Sequence, residues 1–247
     1  MADDEPVTEV ETALGPIQFR GRNTGRPVLL IINGAFAHND TMDRAQQVMP
    51  EVDVLRAHLP GNHCPPLMTT SLGVFTAAFR QAIEAHLRSR PVVVVGLSTG
   101  ALVALGLRHP SVRRLVLAEP PLRTGDLWPL LGWREQGPPD RWPLVTSIFG
   151  ITPTTVEPRD YTHLLDELRV PAVVILGSEP LMPPRPFEAM PSLVDEESRA
   201  LLAAHPRVQL VTAPGAGHHV TQGIHHPLLL EVFRRSCKAA FGVAFQV

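Results

Sequence analysis

The residues best suited to chemistry gather at Gly96-Leu97-Ser98-Thr99-Gly100. A serine hydroxyl alone is a poor nucleophile; it needs a base within hydrogen-bond reach and a carboxylate to orient that base. The flanking sequence supplies a setting for one. Val92 to Val95 are β-branched and apolar on both faces, as in a fully buried parallel strand. From Thr99 to His109 apolar residues run almost all the way round a helical wheel, until Pro110 stops them. Strand, sharp turn and helix leave Ser98 at the corner, beside free N–H groups that favour developing negative charge. Gly96 and Gly100 let strand and helix approach while the serine takes strained dihedrals. Two phosphate-loop readings fail on residues. No Lys follows Gly100, and Gly96, Gly100 and Gly106 lack dinucleotide-fingerprint spacing.

The partners of Ser98 must come from elsewhere in the chain. Val7 to Leu14 and Ile17 to Arg20 alternate across Gly15-Pro16 as a hairpin does. Further strands are expected at Val28–Ile32, Val52–Ala57, Val112–Ala118, Ala172–Leu176 and Val208–Val211. Helical spacing predicts helices over Asp43–Met49, Leu72–Leu87, Tyr161–Leu168, Ser192–His205 (with Ser192 as N-cap) and Leu228–Phe241. Strands alternating with helices make an α/β fold, a mostly parallel sheet covered on both faces. In such a sheet active residues collect in loops at the carboxyl ends of the strands. That filter keeps Asn33 to Phe36, His58 to His63, Ser98, Glu119, Glu179, and either His218 or His219.

Between Leu122 and Arg159 the periodicity collapses, and Trp128, Trp133 and Trp142 stand among Pro129, Pro138, Pro139 and Pro143. A stretch this long without pattern inside a compact domain reads as a functional lid. The expected division is a core of residues 1–122 and 160–247, with a short lid insertion at 123–159. The tryptophans and Phe149 form either a lid core or an apolar substrate wall.

Bulk properties narrow the function classes. The chain has 247 residues, 44% of them hydrophobic and 19% charged, enough for one large α/β domain. A net charge of −2 offers no basic excess for nucleic acid or an anionic membrane. No apolar run approaches the ~20 residues of a membrane span, and the acidic N-terminus has no signal-peptide core. Cys64 and Cys237 are too few for a disulfide scaffold, and Cys64 has no apparent base partner. A cytoplasmic protein acting on a small molecule is expected. His218, His219, His225 and His226 fit no usual zinc spacing, so no metal or other cofactor is expected.

Over nearly its whole length the chain resembles the α/β-hydrolase fold superfamily. The likeness rests on Ile-Ile-Asn-Gly-Ala at 31–35, Leu-Pro-Gly at 59–61, Gly-Leu-Ser-Thr-Gly at 96–100, the Gly177-to-Pro183 loop, and Gly-Ala-Gly-His at 215–218. The family orders its triad as nucleophile, acid, histidine, which implies Ser98, Glu179 and His218. His218 is preferred over His219 because the residue after Gly-x-Gly holds the role in relatives. The acid loop is one residue shorter than the usual pattern and carries Glu for Asp; Glu119, after the preceding strand, is the alternative acid. Oxyanion donors are implied at the N–H groups of Thr99 and Ala35. Asn33 replaces the usual His of that loop, and His58 replaces the Asp often found before Leu-Pro-Gly. Phe36, Leu97, Trp128 and Trp142 are the expected substrate contacts. The expected reaction is serine hydrolysis of an ester, thioester or lactone of a small, partly apolar compound. Carbon–carbon bond hydrolysis, acyl transfer on the same triad, and a non-catalytic binding protein are the alternatives.

Overall fold

The computed structural model describes residues 5–38, 42, 44–136, 142–186, 190–221 and 223–243. Its centre is an eight-stranded sheet. The strands are β1 (Val7–Val10), β2 (Ile17–Arg20), β3 (Val28–Ile32), β4 (Asp53–Ala57), β5 (Val92–Leu97), β6 (Val112–Ala118), β7 (Ala172–Gly177) and β8 (Val208–Ala213). Their spatial order is β1-β2-β4-β3-β5-β6-β7-β8. β1 pairs antiparallel with β2, and β2 with β4; every other neighbouring pair is parallel.

The strand composition explains the layering. In β3 and β5 every residue is buried, and alternate residues enter opposite faces of the sheet. Leu30, Ile32, Val92 and Val94 pack on one face with Phe75 and Phe79 of α2 (Leu72–Leu87). Leu29, Ile31, Val93 and Val95 pack on the other with Leu229 and Phe233 of α8 (His226–Phe241). The helix after Ser98 is α3 (Thr99–Gly106), buried from Thr99 through Leu105. It stops three residues before His109. Pro110 disfavours helical geometry at the residue before it, and the His109 ring instead meets Glu84 and accepts the Ser111 N–H.

Other helices also differ from expectation. The short α1 covers Ala45–Val48, and Asp43, expected to open it, lies outside the described residues. The segment after Leu122 is helical, with α4 at Trp128–Gln136 and α5 at Trp142–Phe149; Pro138 and Pro139 and the Trp133 side chain lie outside the described residues. The two ends of this segment meet, since Thr124 N–H donates to the Arg159 carbonyl and Tyr161 N–H to that of Leu122. After the short α6 (His163–Asp166), α7 spans Glu196–Ala204 with Asp195 as N-cap, not Ser192. The Ser192 hydroxyl is engaged by the Glu119 carboxylate instead. No helix among the described residues is long and apolar enough to cross a membrane.

The parallel register brings the site together. Ile32 aligns with Gly96, Leu97 with Ala118, Ala118 with Ile175, and Gly177 with Ala213. The loops leaving β3, β5, β6, β7 and β8 therefore share one edge of the sheet.

Candidate active site

β5 delivers Ser98 at φ 53° and ψ −118°, a backbone conformation that costs a non-glycine residue of order 1–3 kcal/mol. Surrounding hydrogen bonds enforce it: Ser98 N–H donates to the Ala118 carbonyl at 2.8 Å, and Ala101 N–H to the Ser98 carbonyl at 2.8 Å. The flanking glycines are required by space. A Cβ on Gly96 would stand 2.4 Å from Ala101 Cα, and one on Gly100 2.2 Å from the Ile32 carbonyl oxygen. Thr99 opens α3, where the first N–H groups have no intrahelical acceptor.

One strand over, the chain repeats the device. Glu119 follows β6 at φ 53° and is 1% exposed. Its carboxylate is surrounded by donors. Oε1 accepts from Gly177 N–H at 2.7 Å and from the Ser192 hydroxyl at 2.9 Å. Oε2 accepts from Leu193 N–H at 2.9 Å and faces His218 Nδ1 at 3.3 Å. Buried carboxylates need such partners, because an unpaired charge away from water is costly.

The carboxylate preferred from sequence, Glu179, is not beside His218. Its backbone is pinned between two loops, with Glu179 N–H donating to the Ala216 carbonyl and Ser192 N–H to the Glu179 carbonyl. Pinned so, the side chain turns outward, about half exposed, and meets Arg185 at 3.3 Å. The partner of His218 is the alternative, Glu119. The short loop after β7 holds its backbone against the 216–217 turn so closely that a Cβ on Gly177 would stand 2.3 Å from the carbonyl oxygens of Ala216 and Gly217. That contact sets His218 over the end of β6.

Ser98, Glu119 and His218 line one cavity of about 380 Å³, as do Ala35, Phe36 and Leu97. Among the described residues Ser98 Oγ makes no hydrogen bond to His218, a contact that often tightens only in the substrate complex. His219 also lines the cavity; burial holds its pKa below the ordinary histidine value, with the neighbouring His218 adding to the shift.

The two tryptophans expected at the substrate are not there. Trp128 packs against the core and donates its indole N–H to the Leu181 carbonyl, while Trp142 lies on the surface. α4 and α5 present Leu130 and Phe149 to the cavity instead. Leu144, Val145, Ile148 and Phe149 are spaced as one helical stripe, a signal present in the sequence but interrupted by the prolines around it. Met190, Leu193, Val220 and Thr221 also line the cavity and had no motif to mark them.

A family model described as "Alpha/beta hydrolase family" matches residues 28–228. Solved structures share the fold at low identity. An esterase from Thermogutta terrifontis is 16% identical, with a TM-score of 0.67 over 95% of this chain and 99% of that one. An N-acyl homoserine lactonase is 14% identical, with a TM-score of 0.69 over 98% and 100% of the two chains. A carboxylesterase from Bacillus subtilis is 16% identical, with a TM-score of 0.66 over 98% and 93%. No curated protein sequence matches the chain.

Proposed function

Because the chain belongs to the alpha/beta hydrolase family, we propose that it is a serine hydrolase that cleaves an ester, thioester or lactone of a small, partly apolar compound. The observation that carries the proposal is the convergence of three groups on one cavity: Ser98 on a strained elbow, His218, and the buried Glu119 behind it. Glu119 accepts a hydrogen bond from His218 Nδ1–H and so presents the other ring nitrogen of His218 as the base. His218 takes the Ser98 proton while Oγ attacks the substrate carbonyl. The N–H groups of Ala35 and Thr99 hold the oxyanion, a contribution on the order of 10² to 10³ in rate for each donor lost. His218 then protonates the leaving alcohol or thiol. Water, activated by the same histidine, resolves the acyl-enzyme.

The walls support a small, partly apolar substrate. Leu97, Leu130, Phe149 and Leu193 make them apolar, and 380 Å³ lies near the small end of ligand pockets. Residues 123–159 act as the lid, since Leu130 and Phe149 come from its two helices. The fold is shared with an esterase, a lactonase and a carboxylesterase, in keeping with carbonyl chemistry. In Ser98→Ala, hydrolysis of short-chain 4-nitrophenyl esters should fall about 10⁴-fold or more with the fold intact by circular dichroism. Activity retained in that variant refutes the mechanism.

A further inference from the structure

The loop that carries Ala35 is held from outside by a second loop, and the holding residues have no part in the triad. Gly34 to Ala37 form a turn closed by Ala37 N–H donating to the Gly34 carbonyl at 3.3 Å. Ala35 and Phe36 are its tip, with Gly34 so near the nucleophile that a Cβ there would stand 3.1 Å from Ser98 Cβ. Asn62, fully buried, donates its amide to both ends of this turn, to the Ala37 carbonyl at 3.0 Å and the Gly34 carbonyl at 3.4 Å. Its own loop is tied down in turn: Asn62 N–H donates to the Leu59 carbonyl, Gly61 N–H to that of Pro65, and the Cys64 thiol to that of Leu59.

His58, at the end of β4, reaches the same place. Its ring faces the Ala37 backbone, and among the described residues its buried Nδ1 has no partner. The ring is packed against two more histidines, its centroid 5.4 Å from that of His38 and 5.2 Å from that of His63, while the His38 and His63 centroids are 4.9 Å apart. Among the described residues these three do not form a metal-holding group. His38 itself lines the Ser98 cavity.

We infer that Asn62 and His58 are positioning residues for the Gly34–Ala37 turn, aiming the Ala35 N–H at the developing oxyanion, and that acid releases this hold. The inference rests on the proposed Ser98 chemistry and extends it to the parts that keep one oxyanion donor in place. A second proton on His58 would charge a ring that is only 9% exposed, among like charges from His38, His63 and Arg20. Burial, reinforced by those charges, lowers the His58 pKa from 6.5 to about 4. A state in which the ring is released takes up the proton near 6.5, so as pH falls from there towards 4 the released state gains on the clamped one. The hold is complete above pH 6.5 and weakens below it.

The test is steady-state hydrolysis of 4-nitrophenyl butyrate from pH 4 to 8 by the wild-type protein, Asn62→Ala, His58→Phe, His58→Gln and Ser98→Ala. Asn62→Ala should lower kcat about 10- to 100-fold with KM within about threefold, because a misaimed donor weakens transition-state rather than ground-state binding. His58→Phe should lower kcat about tenfold, and His58→Gln, which keeps an N–H, should recover most of that. The acid limb of kcat in the wild type should be steeper than a single protonation, and both His58 variants should show a single-proton slope. A folded Asn62→Ala protein with unchanged kcat, or one that loses only KM, overturns the inference. So does a wild-type acid slope retained in both His58 variants, which decides the matter if Asn62→Ala does not fold. Activity retained in Ser98→Ala refutes the proposed serine chemistry instead, and leaves this inference without its premise.

Discussion

Glu119 and Glu179 are the same residue type, each just beyond the carboxyl end of neighbouring parallel strands, yet they live in opposite environments. Glu119 is 1% exposed, at positive φ, and its two oxygens meet two backbone N–H groups, a hydroxyl and an imidazole. Glu179 keeps its side chain in solvent and has one guanidinium at 3.3 Å. The difference arises in the backbone between them. Gly177 and the Ser192–Leu193 segment bring donors to the end of β6, so the buried carboxylate belongs at 119. Position 179 contributes main chain: its N–H and carbonyl join the two loops that carry His218 and Ser192. Proximity to a strand end admits a residue to the site, and the supply of donors decides whether a carboxylate can be buried there.

The contrast can be tested by neutralising each member. The largest effect is expected for Glu119→Gln. The amide places N–H groups against Leu193 N–H or His218 Nδ1, which favours the wrong imidazole tautomer. Its kcat on an aryl ester should fall by about 10³ to 10⁴, and leaving a buried donor unpaired should lower unfolding stability in urea by about 1–3 kcal/mol. An effect below tenfold would remove Glu119 from the acid's place. Ser192→Ala takes away one of the four donors and leaves the carboxylate. It should cost about 1 kcal/mol of stability and change kcat only a few-fold, as judged by the same two assays. Glu179→Gln should be the mildest, with kcat within about twofold of wild type, since exposed ion pairs contribute little. A large loss there would invert the comparison.

Much of this arrangement was legible in the chain. Apolar runs rich in β-branched residues at 28–32, 92–95 and 172–176 mark buried strands because both faces of a parallel sheet are covered. The Gly-x-Ser-x-Gly turn between a strand and a helix identifies Ser98, since only glycine fits at 96 and 100. Helices α4 and α5 were hidden by proline-rich flanks, and with them the choice of Leu130, and of Phe149 from among the candidate wall residues, over Trp128 and Trp142. Tryptophan is a sound guess for an apolar wall, but an indole N–H needs an acceptor, and Trp128 finds one at the Leu181 carbonyl.

Local sequence therefore determined the elements, the nucleophile and the short set of residues at the sheet edge, because periodicity and glycine sterics act over a few residues. Tertiary structure alone decided which carboxylate meets His218, where the Ser192 hydroxyl goes, and which second loop holds Ala35. These are contacts between segments 25 to 99 residues apart in the chain. They depend on strand register and on where buried N–H groups end up, and no spacing along the chain encodes either.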